Sequence, residues 1–296
     1  MVPTDTTERF CYLLWWVRDP ITDLDGAGVS GKKLVLRKTN ALVRLGMVHL
    51  LSGVFPLYVV NEYPKSGGSW TGQMLGMALG VPFPRNRFPV LRSSIMHGHY
   101  LNPWGMKNVV LVWRDGRDLM VSWYHHCLFK NERHNARLVE IVRGDLQFED
   151  YGDVRGNLPA FIEYAFTRQR HPNFSWAQFV RRWHGRKKGV VHTGYEALRR
   201  DTPGELGRIV RELSGRELDP GRAEKISDEF SFARQSGRRP GEENKGSFIR
   251  KGVVGDWKEQ FSPEARRVFD RYAGEELILL GYERDHAWAG GRGAAG

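Results

Sequence analysis

Three short, uninterrupted apolar runs, at residues 57–60, 109–113 and 189–192, constrain the fold of this chain most. Their apolar residues do not alternate with polar ones, which is typical of parallel strands that are covered on both faces. Each run is followed within a few residues by apolar positions at helical spacing. We therefore predict an α/β fold in which an open, doubly wound parallel sheet carries helices on both faces.

Local signals predict several helices and loops around this sheet. A helix is predicted over residues 69–79 with Gly80 as its stop signal, and another follows the 109–113 run with Asp115 or Asp118 as its cap. Residues 131–175 contain recurrent Gly, Asp and Pro and are interpreted as a variable loop region. The segment 234–256 is rich in Gly, Arg and Lys, which predicts a mobile segment over a site.

Length and composition bound the number of domains. The chain has 296 residues, of which 41% are hydrophobic, and this suits one large α/β domain or two small ones. Residues 1–45 show no long periodicity and are expected to form an N-terminal extension. We expect the main domain at 46–288 and a flexible tail at 289–296.

Charge indicates the class of binding partner, and the apolar stretches show whether a secretory signal or a membrane span is expected. Lys and Arg number 45 against 34 Asp and Glu, and the net charge of +11 favours an anionic partner: nucleic acid, membrane surface, sulfated glycan or nucleotide. The apolar stretch at 10–17 follows acidic residues and is too short for a secretory signal. An amphipathic helix followed by a buried strand explains residues 41–60 better than a membrane span, because polar residues interrupt the stretch at Arg44, His49, Ser52 and Pro56.

The cysteines indicate the redox compartment. Cys11 and Cys127 cannot form a disulfide framework, so we expect a reducing, cytoplasmic location. The adjacent residues His125, His126 and Cys127 do not predict a metal site, because neighbouring side chains on a helix point about 100° apart.

The sequence YPKSGGSW, at residues 63–70, links the first apolar run to the first predicted helix. Parallel sheets bind ligands at the carboxyl ends of their strands, beside helix N-termini, so this turn is a candidate anion site. Lys65 adds positive charge, and Trp70 offers a surface on which a base could stack. The alternative is a turn of small residues with a solvated lysine. The candidate backbone and hydroxyl donors are Ser66, Gly67, Gly68 and Ser69.

Two further segments offer anion-binding groups. Arg114 follows the second apolar run and Ser122 lies on the next predicted helix, so both could reach one crevice. The sequence RKGVVGDWK, at 250–258, offers the side chains of Arg250 and Lys251 and the backbone of Gly252. A single ligand with two separated anionic ends would explain all three segments.

The three segments resemble the signatures of the sulfotransferase family that uses 3′-phosphoadenosine 5′-phosphosulfate (PAPS). PKSGGSW at 64–70 is similar to the family's PKSGTTW loop for the 5′-phosphosulfate, and RKGVVGDWK to its RKGxxGDWK segment. VWRDGRDLMVSWYHH at 112–126 is similar to its strand, turn and helix for the 3′-phosphate. The resemblance spans residues 57–285 and implies a single domain with a P-loop-like open parallel sheet.

The resemblance also implies roles for single residues. Arg114 and Ser122 match the family's arginine and serine for the 3′-phosphate, and His99 in IMHGHY aligns with its catalytic histidine. Tyr195 in GYEAL is implied to lie near the adenine, and Phe232 in FSF to stack on it.

Four residues depart from the family pattern. Gly68, Ala197 and Phe230 stand where the family has threonine, an acid and threonine, and His97 stands where it has lysine. The short dimerisation motif that some members carry after GDWK is not found, so the oligomeric state is left open.

The implied reaction is transfer of SO₃ from PAPS to an acceptor, whose oxygen attacks sulfur in line while adenosine 3′,5′-bisphosphate (PAP) leaves. Lys65 would neutralise charge on the bridging and leaving oxygens. His99 would remove the acceptor's proton, a task that suits a group titrating near neutrality, and His97 is the rival base. No metal ion is required, because the basic groups are fixed in the protein.

The acceptor is expected to be a small molecule that binds between residues 80–105 and 128–180. Aromatic residues there suit a phenol, steroid, lipid or aromatic natural product, although core packing explains them equally well. Arginines there also suit an acidic sugar. These residues are Phe83, Phe88, Tyr100, Trp104, Phe129, Phe148, Tyr151, Phe161 and Phe166, with Arg85, Arg87, Arg133, Arg137 and Arg143.

Competing functions remain at this stage. A carbohydrate sulfotransferase and a PAP-binding protein without catalysis are the alternatives. A P-loop kinase or ATPase is disfavoured, because Lys65 precedes the glycines and Arg114 ends the second run in place of an acidic magnesium ligand. No nucleic-acid partner is predicted, since no nucleic-acid-binding motif is recognised.

Overall fold

The structure is a computed structural model that describes residues 31–54, 57–85, 92–132, 135–169 and 172–290. The predicted boundaries of the extension, the domain and the tail remain predictions. Several expectations concern residues outside the described ranges: the apolar stretch at 10–17, Cys11, Pro56, Arg87, Phe88, Arg133 and the end of the tail at 291–296.

A four-stranded parallel sheet forms the centre of the fold, as predicted. Its strands are β1 (Leu57–Glu62), β2 (Ser94–Gly98), β3 (Val109–Trp113) and β4 (Val190–Gly194), in the order β2-β1-β3-β4. Strands β1, β3 and β4 coincide with the three apolar runs. Strand β2 was not predicted, because its sequence SIMHG contains only two large apolar residues. In register, Asn61 pairs with Gly98 and Glu62 with Val112, so these strands end at one edge.

Helices cover both faces of the sheet. They are α1 (Gly31–Gly46), α2 (Gly68–Leu79), α3 (Gly116–Leu128), α4 (Ala136–Asp145), α5 (Val154–Thr167), α6 (Trp176–Trp183), α7 (Tyr195–Arg200), α8 (Thr202–Ser214), α9 (Pro220–Glu229), α10 (Phe232–Ser236), α11 (Trp257–Gln260) and α12 (Pro263–Leu279), with a π-helical turn at Met47–Leu51 and a 3₁₀ turn at His286–Gly290. Within the described ranges, none of these helices has the length and apolarity to cross a membrane.

Strand residues build one core cluster on each face. Val59 and Leu111 join a cluster with residues of α3, α5, α6 and α12, whereas Val60 and Val110 join a cluster with residues of α2, α8 and α9. All four side chains are fully buried. Both faces of the sheet pack against helices and therefore carry apolar side chains. This is why apolar and polar residues do not alternate along the strands.

The predictions of helices and loops were partly correct. Helix α2 ends at Gly80, which adopts the left-handed conformation as expected of a stop signal. The prediction of a loop region at 131–175 was wrong, since α4 and α5 occupy most of it. In α5, Leu158, Phe161 and Ile162 are fully buried at helical spacing, and this packing outweighs Pro159 inside the helix.

Candidate active site

A cleft opens where β1, β3 and β4 end, the edge at which parallel α/β sheets bind ligands. Its empty volume is about 1040 Å³. The three motif segments meet there, and the lining includes every predicted site residue except Ser66, Gly68 and His99. The cleft therefore joins residues that are up to 191 positions apart in the chain, namely Glu62 and Val253.

The first motif forms the tight turn between β1 and α2. Lys65 and Gly67 both have positive φ, 75° and 100°, and Gly67 precedes the first residue of α2. A Cβ on Gly67 would lie 2.8 Å from the ring of Tyr195, so only glycine fits both the conformation and the contact. The Lys65 ammonium lies 3.5 Å from the ring centre of Phe248 and donates to the Phe248 carbonyl at 3.2 Å.

Two backbone donors of this turn already have acceptors within the protein. The N–H of Ser66 donates to the carbonyl of Tyr63 at 3.2 Å. The N–H of Gly68 donates to the carboxylate of Glu62 at 2.5 Å. Lys65 and Gly67 line the cleft, whereas Ser66 and Gly68 are not among its lining residues, and the predicted binding roles of all four stay predictions.

The second motif places Arg114 beside the first. Its Nη1 donates to the carbonyl of Lys65 at 2.8 Å, and its guanidinium carbon lies 4.5 Å from the ring centre of Tyr195. Its Nε is buried and has no hydrogen-bond partner among the described residues. Ser122 on α3 also lines the cleft. An orphaned, buried N–H of a cation fits an anionic ligand.

Asp118 connects the second motif to the third. Of the two candidate caps, Asp115 caps α3 by accepting from the N–H of Arg117. The Asp118 carboxylate instead accepts from the N–H groups of Gly255 (2.6 Å) and Trp257 (2.9 Å). Burial raises the pKa of Asp118 above its usual value, although these bonds oppose the shift.

The third motif presents two cations that already have acidic partners. Arg250 pairs with Glu243 and Asp256, and the Lys251 ammonium lies 2.6 Å from the Asp256 carboxylate. The hydrogen bond that Lys251 donates to Asp256 raises the pKa of Lys251, so the lysine stays charged. Gly252 has a positive φ of 65° and contacts the ring of Phe232, which leaves no space for a side chain.

Several aromatic residues line the cleft, among them Tyr195 and Phe232, which the resemblance links to an adenine. The indole N–H of Trp70 donates to the carbonyl of Phe230 at 2.8 Å, and its ring centre lies 6.0 Å from that of Tyr195. Phe232 is almost fully buried and lines the same cleft. Their roles toward a nucleotide remain predictions.

His99 follows β2, held beside the end of β1. Asn61 and Tyr100 exchange two hydrogen bonds, of 2.9 and 2.7 Å, which fix the backbone after His99. The Nδ1 of His99 lies 3.0 Å from the backbone oxygen of Glu62. The Nε2 of His97 lies 2.9 Å from the Glu62 carboxylate, and the two imidazole centres are 5.2 Å apart.

One group of side chains could hold a metal ion. Within the described residues, only Glu62, His97 and His99 offer three ligand atoms that all lie within 4.8 Å of one another. Two members of this group, Glu62 and His97, are already joined by a hydrogen bond. Cys127 follows His125 and His126, for which no metal site was predicted. It is buried, and burial raises the pKa of its thiol.

Several residues of the cleft were missed by the sequence analysis. Glu62 and Phe248 are the clearest examples, and Arg199 also lines the cleft and donates to the carbonyl of Gly252 at 3.0 Å. A charged residue directly after an apolar run, such as Glu62, was an available signal. No local pattern distinguishes Phe248 within its Gly- and Arg-rich segment.

Most aromatic residues proposed for the acceptor belong to the core. Tyr100, Phe161 and Phe166 are buried in the main core cluster. Trp104 is half exposed and stacks on His49 of the π-helical turn. Phe83, another of the aromatic residues proposed for the acceptor, lies near His97, and the centres of the two rings are 6.2 Å apart.

Comparisons with known proteins agree on one family. The model of the sulfotransferase domain matches residues 104–281. A rabbit protein (Oryctolagus cuniculus) named amine sulfotransferase is 26% identical over 263 residues, covering 74% of this chain and 79% of that protein. Human (Homo sapiens) sulfotransferase 1E1 is 23% identical over 266 residues, covering 74% of this chain and 83% of that protein.

Solved structures share the fold. Mouse sulfotransferase SULT7A1 complexed with PAP has a TM-score of 0.59 and 21% identity, over 82% of this chain and 94% of that one. Retinol dehydratase in complex with androsterone and inactive cofactor PAP has a TM-score of 0.57 and 16% identity, over 81% and 85% of the two chains.

Proposed function

This chain belongs to the sulfotransferase family of enzymes, and from that membership we propose that it transfers the sulfuryl group of PAPS to a hydroxyl or amine group of a small acceptor molecule. The observation that carries the proposal is the meeting of the three motif segments in one cleft. Two similar solved structures are complexes with PAP, which supports the same nucleotide here.

Lys65, Gly67, Ser69 and Trp70 are the residues proposed to hold the 5′-phosphosulfate end. The first-turn N–H groups of a helix have no acceptor within the helix, and its dipole favours an anion. Lys65 adds a full positive charge at this point and stabilises negative charge that develops on the leaving oxygens. PAPS, when bound, supplies the sulfuryl group and leaves as PAP. Ser66 and Gly68 stabilise the turn, because their N–H groups donate to the carbonyl of Tyr63 and the carboxylate of Glu62.

The 3′-phosphate is assigned to the second and third motifs. Arg114 carries the strongest support, because its buried Nε has no partner among the described residues and its Nη1 is tied to the first motif. Ser122, Arg250, Lys251 and Gly252 line the same cleft, which supports their assignment to this phosphate. Tyr195, Phe230 and Phe232 are proposed to surround the adenine, whose faces suit aromatic contacts.

His99 is proposed to take the acceptor's proton. Its Nδ1 faces the backbone oxygen of Glu62, which can only accept a hydrogen bond. The proton of the neutral ring therefore sits on Nδ1, and Nε2 carries the lone pair that a general base needs. The Nε2 of His97 is engaged with the Glu62 carboxylate, which makes His97 the weaker candidate.

The acceptor is proposed to be a small molecule with an apolar body. Phe248 covers Lys65 and Phe83 lies beside His97, so apolar surface adjoins both ends of the proposed reaction path. One relative is named amine sulfotransferase, and one similar solved structure is a complex with androsterone, which supports a small-molecule acceptor here. A carbohydrate sulfotransferase and a PAP-binding protein without catalysis remain the alternatives.

Nucleotide binding is tested first by thermal unfolding without added magnesium. PAP at about 100 times its dissociation constant should stabilise the native state by about 2.7 kcal/mol, a rise in Tm of about 5–10 °C. AMP lacks the 3′-phosphate and should give a much smaller shift. Equal shifts with AMP and PAP would refute the 3′-phosphate assignment.

Transfer is tested with PAPS and a panel of phenols, sterols, amines, lipids and glycans. Formation of PAP and of a sulfated product with a small apolar acceptor is the expected result. Transfer to glycans only would favour the carbohydrate alternative. Binding of PAP without transfer to any acceptor would favour a binding protein.

A further inference from the structure

One carboxylate links the first motif to the strand that carries the histidines. Glu62 ends β1 and is only 3% exposed. Its Oε2 accepts from the N–H of Gly68 at 2.5 Å, and its Oε1 lies 2.9 Å from Nε2 of His97. Its backbone oxygen lies 3.0 Å from Nδ1 of His99. A single residue thus contacts the turn and both histidines.

The carboxylate explains why residue 68 is glycine. A Cβ on Gly68 would lie 2.6 Å from Cδ of Glu62 and 2.8 Å from its Oε1, closer than such atoms approach. Gly68 is not among the residues with positive φ, so its backbone would accept an alanine. The side chain of Glu62, and not the backbone, therefore excludes a side chain at this position.

The carboxylate also affects the charge of the histidine pair. Burial raises the pKa of Glu62, but the hydrogen bond and charge of His97, followed by the charge of His99, outweigh burial and leave this pKa below its usual value. Glu62 is therefore ionised at neutral pH. A buried negative charge favours a positive charge on a neighbouring imidazole. It thus stabilises the imidazolium that forms when His99 takes a proton.

We infer that Glu62 is a positioning residue for sulfuryl transfer, which locks the first motif and His99 into one unit and stabilises the protonated base. Gly68 and His97 are then the two residues fitted to its carboxylate. They are also two of the positions at which the chain departs from the family pattern, so a single contact set accounts for both departures. The inference rests on the proposed function for its catalytic part.

Glu62→Gln tests the charge. Glutamine keeps the shape and an oxygen for the N–H of Gly68, but it removes the negative charge that faces His97 and His99 from β1. We expect the acidic limb of the kcat–pH profile to move to lower pH by about one unit, kcat to fall about 3–10-fold, and KM for PAPS to change less than about threefold.

Glu196→Gln is the matched control. Glu196 is a partly buried carboxylate in the first turn of α7, which accepts from the N–H of Asp115 and the hydroxyl of Tyr282, both at 3.0 Å. Its variant should leave the acidic limb in place. An unmoved limb in Glu62→Gln would overturn the inference. Loss of wild-type activity on chelation, restored by Zn²⁺, would also overturn it, since Glu62 would then be a metal ligand.

A double-mutant cycle tests the contact with Gly68 without any nucleotide. We expect Gly68→Ala to lower Tm by about 3–10 °C in the wild-type background, as overpacking does, and by less than about 2 °C beside Glu62→Ala. Equal losses in both backgrounds would overturn the inference. Failure of PAP to bind would refute the proposed function but leave this coupling intact, so the two failures are distinguishable.

Discussion

His125 should make the fold sensitive to mild acid. The residue lies on α3, is 5% exposed, and its Nδ1 is buried without a hydrogen-bond partner among the described residues. Burial, followed by the charges of Arg250 and Lys245, lowers the pKa of His125 to about 3. In an unfolded chain the pKa of histidine is about 6.5. Folding therefore keeps this imidazole neutral over the whole range between the two values.

The sign of the effect follows from proton binding. Below about pH 6.5 the unfolded chain binds a proton at His125 that the native state does not bind, so the free energy of unfolding falls as pH falls. The contribution is fully present above about pH 6.5 and declines by about 1.4 kcal/mol per pH unit toward pH 3. Between pH 7 and pH 5 the integrated loss is about 2 kcal/mol. That is a large part of a typical stability of about 5–15 kcal/mol.

The assay compares three proteins by urea unfolding, followed by tryptophan fluorescence, at pH 7, 6 and 5. His125→Phe keeps a ring of similar size without a titrating nitrogen, and His184→Ala changes an exposed histidine as a control. We expect the wild type and the control to lose about 2 kcal/mol more than His125→Phe between pH 7 and pH 5. Parallel stability curves for all three proteins would refute the reasoning.

Two further predictions concern the site. His99→Ala should lower kcat by about 10²–10⁴ with PAP affinity nearly unchanged, whereas His184→Ala should retain activity; an active His99→Ala protein would place the base elsewhere. Asp118→Ala leaves the N–H groups of Gly255 and Trp257 without their buried acceptor, so it should lower the free energy of unfolding by about 2–5 kcal/mol and weaken PAP binding. Unchanged urea and PAP titrations would show that the third motif holds its place without Asp118.

The sheet could largely be predicted because the sequences of most of its strands are recognisable without knowledge of the rest of the fold. Strands β1 and β3 are buried on both faces, and their sequences and that of β4 contain continuous apolar runs. Strand β2 lies at the sheet edge and carries His97, a polar residue that is buried only because Glu62, 35 residues away in the chain, pairs with it. No local pattern reports such a partner, so β2 could not be recognised.

The site shows the same division between local and distant information. Motif sequences predicted which segments meet at the cleft, because each segment offers its donors locally. Which donors stay available depends on partners from elsewhere in the chain. The N–H of Gly68 is taken by Glu62, and the cations of Arg250 and Lys251 are shared with Asp256. The sequence therefore predicted the composition of the site better than the allocation of its hydrogen bonds.

This allocation predicts an order of importance among the proposed 3′-phosphate residues. Asp256 is buried and stays ionised, because the charges of Arg250 and Lys251 overcome the effect of burial and lower its pKa. Those two cations are thus partly neutralised, whereas Arg114 has a buried N–H with no partner in the described chain. Arg114→Ala should cost about 2–5 kcal/mol of PAP affinity, measured calorimetrically, and Lys251→Ala clearly less. An equal or larger loss in Lys251→Ala would show that Asp256 releases its lysine to the ligand, and that ion pairs seen beside the cleft do not rank its anion-binding groups.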